Sequence, residues 1–164
     1  MVQFSQTSWQ EFSLPNVLET LRYAPMNLAI SKTPLLHYTL PSELAPGARV
    51  NYHIQCGFKS IKWTGTISSF TDNKVTVRLA DGPFRGFTAS HQFVSEGNMT
   101  ACYDEFSFQG FTNIPEEVFA GIIAKANIVY AIYSRKDTRD IMLAIEAQKK
   151  TQSFETLDES ATAG

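Results

Sequence analysis

Cysteine is scarce in this chain: Cys56 and Cys102 are the two in 164 residues, and neither forms a CxxC or has a histidine at metal-ligand spacing. A disulfide framework and a zinc site therefore have no support, and two buried thiols are expected. Charge of one sign is missing as well. The 14 Lys and Arg are scattered and balanced by 16 Asp and Glu, for a net charge of −2, which leaves no electrostatic footprint for nucleic acid. No window approaches the roughly 18 apolar residues of a membrane span, and the start, Met1 to Gln6, has neither the basic nor the apolar part of a signal peptide. The expected setting is the cytoplasm. A Gly-rich phosphate loop, a nucleophile beside a base and a metal triad are also absent. No cofactor is expected.

What the chain does have is alternation. Val50, Tyr52, Ile54 and Cys56 alternate with Arg49, Asn51, His53 and Gln55, so a strand here sends the first set inward. Ile61, Trp63, Gly65 and Ile67 repeat the pattern, as do Val75, Val77 and Leu79, with Asp72-Asn73 as the turn between them. Phe87, Ala89, His91 and Phe93 follow, and after Glu96-Gly97-Asn98 come Thr100, Cys102, Asp104, Phe106 and Phe108. Such runs build a curved antiparallel sheet. Upstream, Val2 to Phe12 reads as a first strand, Pro15 to Pro25 as a short helix, and Leu35 to Leu40 as a further strand.

From Pro115 to Lys149 the period changes: Val118, Phe119, Ile122, Ile123, Ala126, Val129, Ile132 and Tyr133 recur at helical spacing. Pro115, Glu116 and Glu117 suit a helix start. Residues 151–164 are mostly Ser, Thr, Glu, Ala and Gly, which predicts a disordered tail behind a single domain over 1–150. A cupped sheet against one long helix leaves room for a hydrophobic pocket, and the 12 Phe, 6 Tyr and 2 Trp suit its walls.

Tyr52, Trp63, Phe84, Phe87 and Phe106, with Phe119, Ile123 and Tyr130 of the helix, are the candidate walls. Two polar residues share their faces. His91 lies on the apolar side of its strand, where it serves either as a hydrogen-bonded core residue or as a proton donor and acceptor. Asp104 needs company if buried, and alternation offers His91, Thr100 or Tyr52. A His91–Asp104 pair is then either a polar network that pins strand register or an acid-base site.

The residues Asn27-Leu28, Thr33-Pro34, Gly47 with Tyr52, Trp63 and Ile67, then Gly82-Pro83-Phe84-Arg85 and Asp104-Glu105 carry a resemblance. In their order and spacing, over residues 2–148, the chain resembles the SRPBCC or START-like superfamily, in particular its bacterial ligand-binding and cyclase-like branch. The resemblance implies an α+β helix-grip fold: about seven antiparallel strands wrapped around a long C-terminal helix, with two short helices after the first strand. It also implies a small hydrophobic ligand such as a lipid, quinone or polyketide. The alternative it implies is a cyclase or dehydratase using His91 and Asp104. Where the related branch carries Trp, His, His and Phe at alternate positions, this chain has Phe87, Ala89, His91 and Phe93. The first histidine is missing, which favours binding over catalysis.

Overall fold

A computed structural model describes residues 1–22, 35–56, 59–111, 115–125, 139, 142, 143, 146 and 147. Its frame is one seven-stranded antiparallel sheet: β1 (Val2–Gln10), β2 (Leu35–Thr39), β3 (Arg49–Cys56), β4 (Lys59–Thr71), β5 (Lys74–Asp81), β6 (Phe84–Glu96) and β7 (Met99–Phe111). Across the sheet the order is β1-β7-β6-β5-β4-β3-β2, so β3 to β7 follow one another as hairpins and β1 pairs with the last strand. Two of the turns obey their residue chemistry. Asp72 and Asn73 both have positive φ, as a mirror-image two-residue turn requires, and Gly97 takes φ +64° in the turn between β6 and β7.

The alternation read from the sequence sets the faces. Val50, Tyr52, Ile54, Trp63, Ile67, Val75, Val77, Phe87, Ala89, His91, Phe93, Cys102, Asp104, Phe106 and Phe108 are all buried on one side. The sheet curls strongly around them. On a flat sheet β2 and β7, five strands apart in the order, would be separated by about 24 Å, yet the Tyr38 hydroxyl of β2 lies 3.1 Å from an Asp104 carboxyl oxygen of β7. Register shifts within the β4–β5 pairing, at Thr64/Gly65 and Ile67/Ser69, help this bend. Gly65 is where the curl leaves no space: a Cβ there would sit 2.2 Å from Val77 Cγ1 and 3.3 Å from the Tyr52 ring.

Among the described residues, two continuous helices accompany the sheet. α1 (Leu14–Arg22) buries Val17 and Thr20, and its end is tied to the chain beyond β2 by the Leu40 amide donating to the Leu21 carbonyl at 2.8 Å. The first strand is shorter than its sequence pattern, ending at Gln10 rather than Phe12. The second helix, α2, runs over residues 116–125 of the described chain. Its first turn closes on Pro115, whose carbonyl accepts from the Val118 and Phe119 amides. Phe119 and Ile123 are buried, whereas Val118, expected in the apolar stripe, is 54% exposed. The contact face of α2 is thus narrower than the pattern suggested. Residues 139, 142, 143, 146 and 147 are helical too, with Met142 buried. The expected second short helix and Tyr130 lie outside the described residues. The architecture is α+β, a curled antiparallel half-barrel with two helices.

Candidate functional site

Antiparallel pairing places His91 of β6 directly opposite Asp104 of β7, and Asp104 opposite Gln6 of β1. All three side chains point into the curl. His91 Nδ1 lies 2.8 Å from Asp104 Oδ1, and both residues are 0% exposed. The remaining ring nitrogen, His91 Nε2, is 2.8 Å from the Tyr52 hydroxyl. Two more donors reach the same carboxyl group: the Tyr38 hydroxyl at 3.1 Å from Oδ1 and Gln6 Nε2 at 3.1 Å from Oδ2.

The direction of this chain follows from the chemistry of its ends. A carboxylate only accepts, so Nδ1 of His91 carries the proton that it donates to Asp104. With the ring neutral, Nε2 is bare and accepts from the Tyr52 hydroxyl; with the ring charged, Nε2 donates and the Tyr52 proton is free to point elsewhere. Burial, and then the nearby Asp104 carboxylate, push the Tyr52 phenol well above its ordinary range. That keeps it a hydroxyl. The thiol of Cys102, one alternate position from Asp104 on β7, is pushed up to about 12 by burial and by Asp104, with a hydrogen bond from Ser8 opposing. Cys102 is therefore not a thiolate nucleophile at neutral pH.

Aromatic rings surround the polar centre on one side. Tyr52 stacks on Trp63 with centroids 5.3 Å apart and planes 5° apart, and Tyr38 stacks on His91 at 4.1 Å. Phe87, Phe106 and Phe108 close the group edge-on or tilted, at 5.0 Å for Tyr52–Phe87, 5.5 Å for His91–Phe106 and 5.7 Å for Trp63–Phe108. Phe84 and Phe119 bring α2 into the same cluster, 5.8 Å apart. Among the described residues, three buried polar side-chain atoms have no hydrogen-bond partner: Trp63 Nε1, Gln6 Oε1 and Gln10 Oε1.

Of the residues singled out from the sequence, Tyr52, Trp63, Phe84, Phe87, His91, Asp104, Phe106, Phe119 and Ile123 all lie in this interior. Thr100 does not join Asp104; its hydroxyl donates to the Phe12 carbonyl at 2.9 Å. Arg85 and Lys62 are exposed, in keeping with a solvated role. Gln6, Tyr38 and Phe108 were missing from the candidate walls. Tyr38 was legible in the alternation Leu36-Tyr38-Leu40. Gln6 was not, because β1 puts Gln6, Ser8 and Gln10 inside and leaves Trp9 36% exposed, against the hydrophobic pattern.

A concavity of about 580 Å³ opens on the outer face of the sheet, where Gln3, Ser5, Thr76, Thr88, Ser90, Glu105 and Ser107 line it together with Phe4, Ala89 and Phe106. Among the described residues no three His, Cys, Asp or Glu side chains gather as a metal site, and no helix is long and apolar enough to cross a membrane.

No protein-family model matches the chain, and no curated protein matches it by sequence. Solved structures do. TTHA0849 from Thermus thermophilus superimposes with a TM-score of 0.57 at 14% identity, over 87% of this chain and 98% of that one. A START superfamily protein from Mycobacterium smegmatis gives 0.56 at 9% identity, over 84% and 95%. The chain has the START-like fold. Protein Ms6760 from Mycobacterium smegmatis also shares it, with a TM-score of 0.53 at 13% identity over 88% and 92% of the two chains. At such identities the START-like likeness concerns the backbone and carries no residue roles across.

Proposed function

We propose that this START-like chain binds or carries a small hydrophobic molecule, of the lipid, quinone or polyketide kind, between the inner face of the sheet and the C-terminal segment. The observation that carries this reading is a hydrogen-bonding centre set among aromatic rings, with an indole donor, Trp63 Nε1, buried and unpaired in the wall. Apolar burial at about 25 cal/mol per Å² supplies the affinity, and a buried polar group left unpaired favours a ligand that pairs it. Tyr52, Trp63, Phe84, Phe87, Phe106, Phe119, Ile123 and Tyr130 form the walls in this proposal, and His91 with Asp104 forms the polar anchor. The proposal includes a long C-terminal helix closing the site, a single ligand-binding domain over 1–150 ahead of a disordered tail, and a cytoplasmic setting. Native mass spectrometry of protein purified without denaturation tests it: a co-purified apolar molecule is expected. An empty protein whose melting temperature no lipid, quinone or polyketide raises would overturn it.

A second reading is favoured by one observation, the continuous Asp104–His91–Tyr52 chain. A polyketide-like or aromatic substrate seated against Tyr52 could be cyclised or dehydrated, with His91 exchanging the proton through the phenol and Asp104 holding the ring. His91→Ala then abolishes turnover while leaving binding nearly intact; unchanged turnover sinks this reading.

A further inference from the structure

The inner face of β1 breaks the rule that a strand closing a curled sheet presents apolar side chains to the core. Gln6, Ser8 and Gln10 are 6%, 3% and 4% exposed, and they sit opposite Asp104, Cys102 and Thr100 of β7. Two residues further toward the N-terminus the character reverses, with Phe4 opposite Phe106 and Val2 opposite Phe108. The inner face of β1 is therefore polarised along the strand, apolar at its start and hydrogen-bonding toward its end.

The amide nitrogens at the polar end are committed. Gln6 Nε2 faces Asp104 Oδ2 at 3.1 Å, and Gln10 Nε2 leans back toward Ser8 Oγ at 3.5 Å. The Gln6 orientation is fixed by its partner, since a carboxylate oxygen cannot face an amide oxygen. Each amide then leaves its Oε1 buried without a partner. Both leftovers are acceptors, so what completes them is a donor. A cationic amine would require a counter-charge, and the buried carboxyl group among the described residues, Asp104, already receives His91, Tyr38 and Gln6. A neutral hydroxyl has no such requirement.

We infer that the ligand is amphipathic and carries a hydroxyl group, which donates to one of the two β1 acceptors, Gln6 Oε1 or Gln10 Oε1, while its ring or chain lies against the aromatic side chains. This inference rests on the ligand-binding reading above and adds the ligand's polarity and orientation to it.

Titration calorimetry of the full chain with 2-naphthol and with 2-methylnaphthalene, a pair differing by hydroxyl against methyl, separates the two claims. In the parent protein 2-naphthol binds at least as tightly as its methyl counterpart, although water holds the naphthol better. In one of the two variants Gln10→Met and Gln6→Met the preference for naphthol falls about tenfold, the range of one hydrogen bond to a buried acceptor. Tighter binding of 2-methylnaphthalene by the parent chain, or a preference unchanged in both variants, overturns the inference and leaves the binding reading standing; the orphan acceptors then belong to buried water. Binding of neither probe overturns the inference, and the native mass spectrum and melting temperatures above then decide the binding reading. If either variant fails to fold, the order of the two probes in the parent protein decides alone.

Discussion

Asp104→Ala and Asp104→Asn should behave very differently, and the difference measures the buried network. Alanine withdraws the acceptor from His91 Nδ1, the Tyr38 hydroxyl and Gln6 Nε2 together. A buried donor left without its acceptor costs about 1–3 kcal/mol, so the loss is on the order of 5 kcal/mol, with a further contribution from the cavity. That rivals the whole stability of a typical domain, about 5–15 kcal/mol. Asparagine keeps an oxygen for His91 and Tyr38 and turns its amide nitrogen toward Gln6. The Gln6 amide can then flip, because its own Oε1 has no other partner, and accept from the new side-chain amide in place of donating. The expected cost is about 1–2 kcal/mol, the difference between charge-assisted and neutral hydrogen bonds. Urea unfolding followed by tryptophan fluorescence reads both variants. Stabilities of the two variants within about 1 kcal/mol of each other would refute the reasoning, since the network would then be holding nothing that an amide can mimic.

Other consequences follow from neighbouring groups. Tyr52→Phe strips the partner from His91 Nε2 inside a closed core and should cost about 1–3 kcal/mol in chemical denaturation; a neutral effect would mean that water replaces the hydroxyl. Gly65→Ala forces a Cβ to within 2.2 Å of Val77 Cγ1, an overpacking that should cost about 1–3 kcal/mol, and Val77→Ala in the same chain should recover part of it. Stability should fall steeply in alkali. The Cys102 thiol, ordinarily near 9, is raised to about 12 in the folded chain, so its contribution is fully present below pH 9 and is lost as pH rises toward 12. It amounts to about 4 kcal/mol at most. Tyr52, also raised by burial, adds in the same direction above pH 10. Cys102→Ala should flatten the loss between pH 9 and 12, and an unchanged slope in urea midpoints against pH would contradict the assignment.

The sheet was legible because its strands carry a period of two with strong contrast. Trp63 against Lys62 and Thr64, or Val75 and Val77 against Lys74 and Thr76, leaves one choice of face, and turn residues such as Asp72-Asn73 fix where each strand ends. The same alternation put His91 and Asp104 on the inner face before any partner was known. Local pattern sufficed there, since a side chain's face depends only on its neighbours along the strand.

Which strands meet across the curl is a different kind of question. Tyr38 reaches Asp104 because the sheet curls until its second strand lies over its last, and Gln6 reaches it because the first strand pairs with the last. Both contacts span long stretches of chain, and no local period encodes them. In β1 the contrast is also weak: Gln6, Ser8 and Gln10 face inward while Trp9 stays partly in solvent. By itself the amino-acid order determined an alternating, aromatic-lined half-barrel with a histidine and an aspartate facing in. Only the tertiary structure decided which polar groups complete that pair and which are left unpaired, because hydrogen-bond completion is a property of the closed interior rather than of any one strand.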